Sequence, residues 1–180
     1  GIGGATLTVP VLHAFRTPMP TAVGSAATLG ALIGYVWPEP RSSAASGHVM
    51  QILETFLKAG WDITFSSPAG PGEHKADLAA LGIREVPIEL NNSSFDAFIR
   101  ELAPDIVLFD QFLMEEQFGW RVEQACPQAL RILDMEDCHA LRAARELAVK
   151  SGAPIDSTAL NSELALREVA AIYRCDLTLV

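Results

Sequence analysis

Residues 29–47 read LGALIGYVWPEPRSSAASG, and the reading of this stretch decides the fold. Apolar residues run as far as Trp37, Pro38 and Pro40 bracket Glu39, and a small, serine-rich loop leads into a helical pattern. A buried parallel strand delivers the chain to a ligand-facing loop in this way. The same run closes a longer apolar stretch in which Arg16 is the only formal charge before Glu39. The quoted stretch therefore sits on a composition boundary, with an apolar segment behind it and a charged body ahead.

Ahead of the boundary the chain alternates strand and helix patterns, which predicts a parallel sheet covered on both faces. Strands are expected at 31–37, 61–66, 84–89, 105–110, 129–134 and 176–180. Helices are expected at 46–59, 75–81, 93–102, 112–125, 138–150 and 160–174. The clearest helix carries Val49, Ile52, Leu53, Phe56 and Leu57, one apolar stripe at i, i+3, i+4, i+7 and i+8, and Gly60 suits its end. DIVLFD at 105–110, bounded by Pro104, reads as a buried parallel strand, and Ser93 or Ser94 is placed to cap the helix that follows.

Composition narrows the function classes. The chain has 180 residues, 49% of them hydrophobic and 19% charged, enough for one domain with its own core. A net charge of -9 argues against a nucleic-acid partner, which needs a clustered basic surface. Cys126, Cys138 and Cys175 are widely spaced and form no CxxC pair, so neither a zinc site nor a disulfide framework is read. A reducing, cytoplasmic setting follows. The chain opens on Gly1 and closes on the apolar run 177–180, which gives the expectation of a fragment.

Ligands of such sheets bind at the carboxyl ends of the strands, so the residues there carry the candidate chemistry. After the first strand, Arg41 offers a planar cation and Ser42 and Ser43 offer hydroxyls beside a helix N-terminus, which suits a diphosphate or a sugar. The plainer reading is a loop whose Ser46 caps the helix. After the fifth strand, LDMEDCHALR (133–142) crowds Asp134, Glu136, Asp137 and His139 into one turn, where carboxylates can orient an imidazole. His139 and Asp137 are the candidate acid/base pair and Glu136 a candidate substrate contact; the alternative is that Asp137 only caps the helix. Asp110 and Gln111 leave the fourth strand as further substrate-binding candidates. Glu115 and Glu116, adjacent on a helix, do not face each other. Phe112, Phe118 and Trp120 read as packing, and His48 and His74 have no evident partner. No spacing matches a metal template, and no cofactor is expected.

GYVWPEPRSSAAS, the block from SSFDAFIRELAPDIVLFDQF to LDMEDCHALRAAR, and REVAAIYRCDLTLV together resemble the N-terminal half of a bacterial group 1 glycosyltransferase. The resemblance covers about residues 32–180. It implies the GT-B architecture: a Rossmann-like parallel sheet flanked by helices, facing a second such domain across a cleft. It also implies a nucleotide-sugar donor and a sugar or glycan acceptor. The loop around Arg41, Ser42 and Ser43 would then face the donor diphosphate, and the Asp137–His139 turn the acceptor or transferred sugar. The donor-binding half is absent, so this chain is not expected to transfer sugar alone.

Residues 1–31 form the other expected unit, an apolar helical segment. GIGGAT is not a dinucleotide loop, because Thr6 stands where the pattern requires glycine and no strand precedes it. GIGGATLTVP followed by AVGSAATLG resembles the sulfite exporter TauE/SafE permeases, with Ala5 in place of a glycine and Ser25 in place of a threonine. That resemblance implies membrane contact through residues 1–31. Two alternatives to the glycosyltransferase follow: a fragment of a membrane anion permease, and a non-catalytic Rossmann-type binding module.

Overall fold

The computed structural model describes residues 27–152, 154–155 and 161–180. The expected apolar helix lies outside them up to residue 26. Among the described residues no helix is long and apolar enough to cross a membrane.

Six strands form one parallel sheet: β1 (Leu29–Ile33), β2 (Asp62–Ser67), β3 (Arg84–Pro87), β4 (Ile106–Asp110), β5 (Leu130–Asp134) and β6 (Leu177–Leu179). Their order is β3-β2-β1-β4-β5-β6, which is Rossmann-like. Among the described residues five α-helices accompany them: α1 (Ala44–Lys58), α2 (Ser94–Leu102), α3 (Phe112–Ala125), α4 (His139–Ser151) and α5 (Glu163–Arg174). The chain winds outward from β1 to β3, then crosses back to place β4 on the other side of β1. The order therefore reverses between β1 and β4, the switch point at which sheets of this kind place their ligands.

Strand periodicity divides the core into two layers. Leu32, Phe65, Leu108 and Ile132 face α1, whose Val49, Ile52 and Leu53 are buried against them. Ile33, Val107, Phe109 and Leu133 face the opposite way, onto Phe95 and Ile99 of α2 and Phe118 and Val122 of α3. Bidentate ion pairs fasten α5 onto α3: Arg174 holds Glu115 at 2.5–3.0 Å, and Arg167 holds Glu116 at 2.6 and 3.0 Å. The adjacent glutamates thus serve two separate guanidinium groups.

Four local expectations need correction. β1 covers 29–33 rather than 31–37, because its pairing ends where Ile33 meets Ser66 on one side and Phe109 on the other. Gly34 then passes so close to the buried Phe65 ring that a Cβ there would collide with it, and would stand 3.0 Å from the Val36 carbonyl. Trp37 lies beyond the strand, buried, with its indole N–H donated to the Ala69 carbonyl at 2.7 Å. The helix expected at 75–81 is only a 3₁₀ turn at Ala79–Leu81. Upstream of it, Ala76 N–H is committed to the Pro38 carbonyl and Leu78 N–H to the Glu85 carboxylate.

The helix caps differ as well. Ser43, not Ser46, caps α1, its hydroxyl accepting from Ser46 N–H at 3.1 Å. Neither Ser93 nor Ser94 caps α2 through its side chain; Asn92 Oδ1 takes the Ser94 N–H at 2.9 Å. Gly60 does follow α1 with a left-handed φ of 81°, as its place in the sequence predicts.

Candidate active site at the carboxyl edge

The alternation that builds the core also builds the site. Asp110 ends β4 and Asp134 ends β5, and the two are direct partners in the sheet register. Each lies two residues beyond a side chain on the α1 face, Leu108 and Ile132, so both carboxylates rise on that face. His48 sits one helical turn before Ile52 on α1, and its Nε2 lies 2.9 Å from Asp134 Oδ2. Asp134 is 2% exposed, whereas the His48 side chain is 40% exposed. The imidazole thus has one end on a buried carboxylate and remains open to solvent.

Asp110 is 5% exposed. Its Oδ2 accepts a long hydrogen bond of 3.3 Å from Tyr35 N–H, which ties the loop after β1 to the end of β4. Its Oδ1 is buried without a partner, as is Ser66 Oγ near the end of β2. Burial pushes the Asp110 carboxyl up to about 7; the Tyr35 amide and His48 oppose this, and the charges of Asp134 and Glu136 add to it. Burial also raises Asp134, against the pull of His48 and of the Glu136 N–H, which it accepts at 3.2 Å. Carboxyls shifted this way by burial and by neighbouring charge mark candidates for a functional site.

Two residues at the same edge have positive φ without being glycine. Gln111 has φ 71° and ψ 152°, a region otherwise almost confined to glycine, and Glu136 has φ 55°. Gln111 N–H donates to the Asp134 carbonyl at 2.8 Å, which holds the unusual turn in place. Its side-chain amide donates to Glu136 Oε2 at 2.9 Å, joining the loops after β4 and β5. Gln111→Gly removes the steric cost of this backbone and is expected to stabilise the fold by about 1–2 kcal/mol, once glycine's larger entropy loss is included. Urea denaturation checks this; an unchanged or lower stability would show that the turn is unstrained.

The remaining sequence candidates, His139 apart, line two basins. Arg41, Ser42 and Ser43 line an open basin of about 650 Å³ together with His48. The exposed Arg41 guanidinium has no partner among the described residues, Ser42 Oγ donates to Glu39 at 3.0 Å, and Ser43 is engaged in the helix cap. Glu136 and Asp137 line a second basin of about 390 Å³ with Arg142 and Arg145, where Asp137 pairs with Arg142 at 2.7 Å. His139 turns its ring edge-on to Phe112 at 5.6 Å. The expected Asp137 cap is absent. Glu168 of α5 supplies it instead, accepting from His139 and Ala140 N–H at 2.6 and 3.1 Å.

Sequence reading passed over His48 because its carboxylate partner is 86 residues away. A usable signal was nonetheless present: a histidine near the start of the helix after β1 and an aspartate ending a later strand share the carboxyl edge in any sheet of this order. Among the described residues no group of three or more His, Cys, Asp or Glu is arranged to hold a metal ion. Comparison of the chain with protein-family models, with curated proteins and with solved structures finds no match.

Proposed function

We propose that the body from residue 32 onward is the acceptor-side half of a nucleotide-sugar-dependent glycosyltransferase. The observation that carries the reading is the His48–Asp134 pair, an exposed imidazole oriented by a buried carboxylate at the edge where this sheet order places its ligand. With Asp134 ionised, Nε2 carries a proton and donates it to the carboxylate, leaving Nδ1 with a lone pair to accept one. His48 is then the general base.

The acceptor hydroxyl gives its proton to Nδ1 while its oxygen bonds to the anomeric carbon of the donor. The bond from that carbon to the diphosphate breaks, and the nucleoside diphosphate leaves with the bonding electrons. Arg41 and the N-terminal end of α1 line the same basin as His48 and stabilise the leaving anion. Asp110, Gln111 and Glu136 supply acceptors and donors for sugar hydroxyls, and Asp137 and His139 flank them on the β5 side. The resemblance of residues 32–180 to group 1 glycosyltransferases points the same way.

Isothermal titration of the intact two-domain enzyme with UDP- and GDP-sugars and with methyl hexopyranosides tests this. Saturable binding of a nucleotide sugar and of a glycoside is expected; binding of neither would overturn the proposal.

A further inference from the structure

The first part of the loop after β1, residues 34–38, is fastened to the rest of the molecule at every residue but Val36. Gly34 N–H donates to the Ser66 carbonyl at 2.8 Å. Tyr35 donates its N–H to Asp110 at 3.3 Å, and its carbonyl lies 3.5 Å from the Ser67 hydroxyl. Trp37 is buried, stands 5.4 Å from Phe65, and is tied to Ala69 through its indole. The Pro38 carbonyl accepts from Ala76 at 2.8 Å. Between these anchors Tyr35 and Val36 are 44% and 46% exposed.

A single exposed tyrosine is ordinary on a protein surface. Here the backbone on both sides of the ring is held, so the aromatic group is presented at little entropic cost to binding. It also springs from the residue whose N–H meets Asp110, the buried carboxylate with an unpartnered oxygen. An apolar face beside convergent polar groups is the composition of a small-molecule site. A pyranose matches it, having one face of C–H groups and a rim of hydroxyls.

Resting on the glycosyltransferase reading, we infer that Tyr35 is the stacking platform for the acceptor sugar. The C–H face of the ring lies on the phenol, and the hydroxyl rim turns toward the polar cluster of Asp110, Gln111 and Glu136. The loop after β1 therefore has two tasks: Arg41 at its far end serves the phosphate side, and Tyr35 at its near end selects for a ring with an uninterrupted apolar face.

The test is saturation-transfer NMR on the full chain with methyl gluco-, galacto- and mannopyranosides, for the wild type and for Tyr35→Phe, Tyr35→Leu and Tyr35→Ala. Circular dichroism establishes that each variant is folded. Tyr35→Phe is expected to bind as the wild type does. Tyr35→Leu, which keeps apolar area but loses the π face, and Tyr35→Ala are expected to bind roughly 3- to 10-fold more weakly. Saturation in the wild type should be strongest at protons of one C–H face. If the wild type binds a glycoside and the leucine variant binds it equally well, the inference falls and the proposed function stands. If the wild type binds none of the three, the inference falls, and the proposed function is decided separately by the nucleotide-sugar titration.

Discussion

Asp110→Asn is expected to remove a pH dependence from the stability of this protein and to make the fold more stable above neutrality. Burial holds the Asp110 carboxyl at about 7 in the folded state, against an ordinary value of 3.8. Between those two values the folded chain retains a proton that the unfolded chain has lost. Stability therefore falls as the pH rises through this window and is level above it. A displacement of this size corresponds to about 4 kcal/mol between the two protonation states.

Asparagine keeps an oxygen to accept from Tyr35 N–H and carries no charge. Its amide N–H₂ would occupy the place of the unpartnered oxygen, and an unsatisfied buried donor costs about 1–3 kcal/mol. A net gain of about 1–3 kcal/mol above neutrality remains. Denaturant titrations across the pH range check both parts. Parallel pH profiles for the variant and the wild type would show that Asp110 ionises in the folded protein as it does in solvent.

The second large effect concerns turnover. On the proposed glycosyltransferase reading, His48→Ala in a form competent for sugar transfer should lower kcat by about 10²–10⁴-fold while leaving the acceptor KM close to that of the wild type, because a general base acts in the transition state. Asp134→Asn keeps the shape of the pair but presents an amide to Nε2, which no longer fixes the tautomer that leaves Nδ1 free. It should lower kcat and change the pH–rate profile, which a purely structural role would not do. Steady-state kinetics with a varied acceptor decides the matter, and turnover by His48→Ala equal to that of the wild type would exclude the general-base assignment.

Particular residues show why some of this was legible in the sequence and some was not. DIVLFD and the stripe from Val49 to Leu57 specify buried elements through local periodicity, and both form as expected. The end of β1 was misplaced because apolar character continues to Trp37, whereas strand pairing stops at Ile33. Trp37 is buried for a different reason, its contact with Phe65 and Ala69. Ser46 and Asp137 were both reasonable caps on composition. Ser43 caps α1 by a local bond, but Glu168 reaches α4 from another helix, which no local pattern reveals.

The site was legible as an edge but not as a set of partners. Asp110, Gln111 and Glu136 could be named because strands of a parallel sheet end where ligands bind. His48 could not, since its value depends on Asp134, and that pairing exists only once α1 packs on the face from which Asp134 rises. The backbone of Gln111 is equally invisible in sequence, because nothing about glutamine suggests a conformation that glycine normally occupies.

The central claim is that this carboxyl edge binds a sugar. The most direct measurement is heteronuclear NMR of the full chain during titration with the methyl hexopyranosides, following the amides of the loops after β1, β4 and β5 and the His48 ring. Saturable shifts confined to Tyr35, His48, Asp110, Gln111 and Glu136 and their immediate neighbours are the predicted result. Spectra unchanged by every glycoside, or shifts confined to the opposite edge of the sheet, would contradict it.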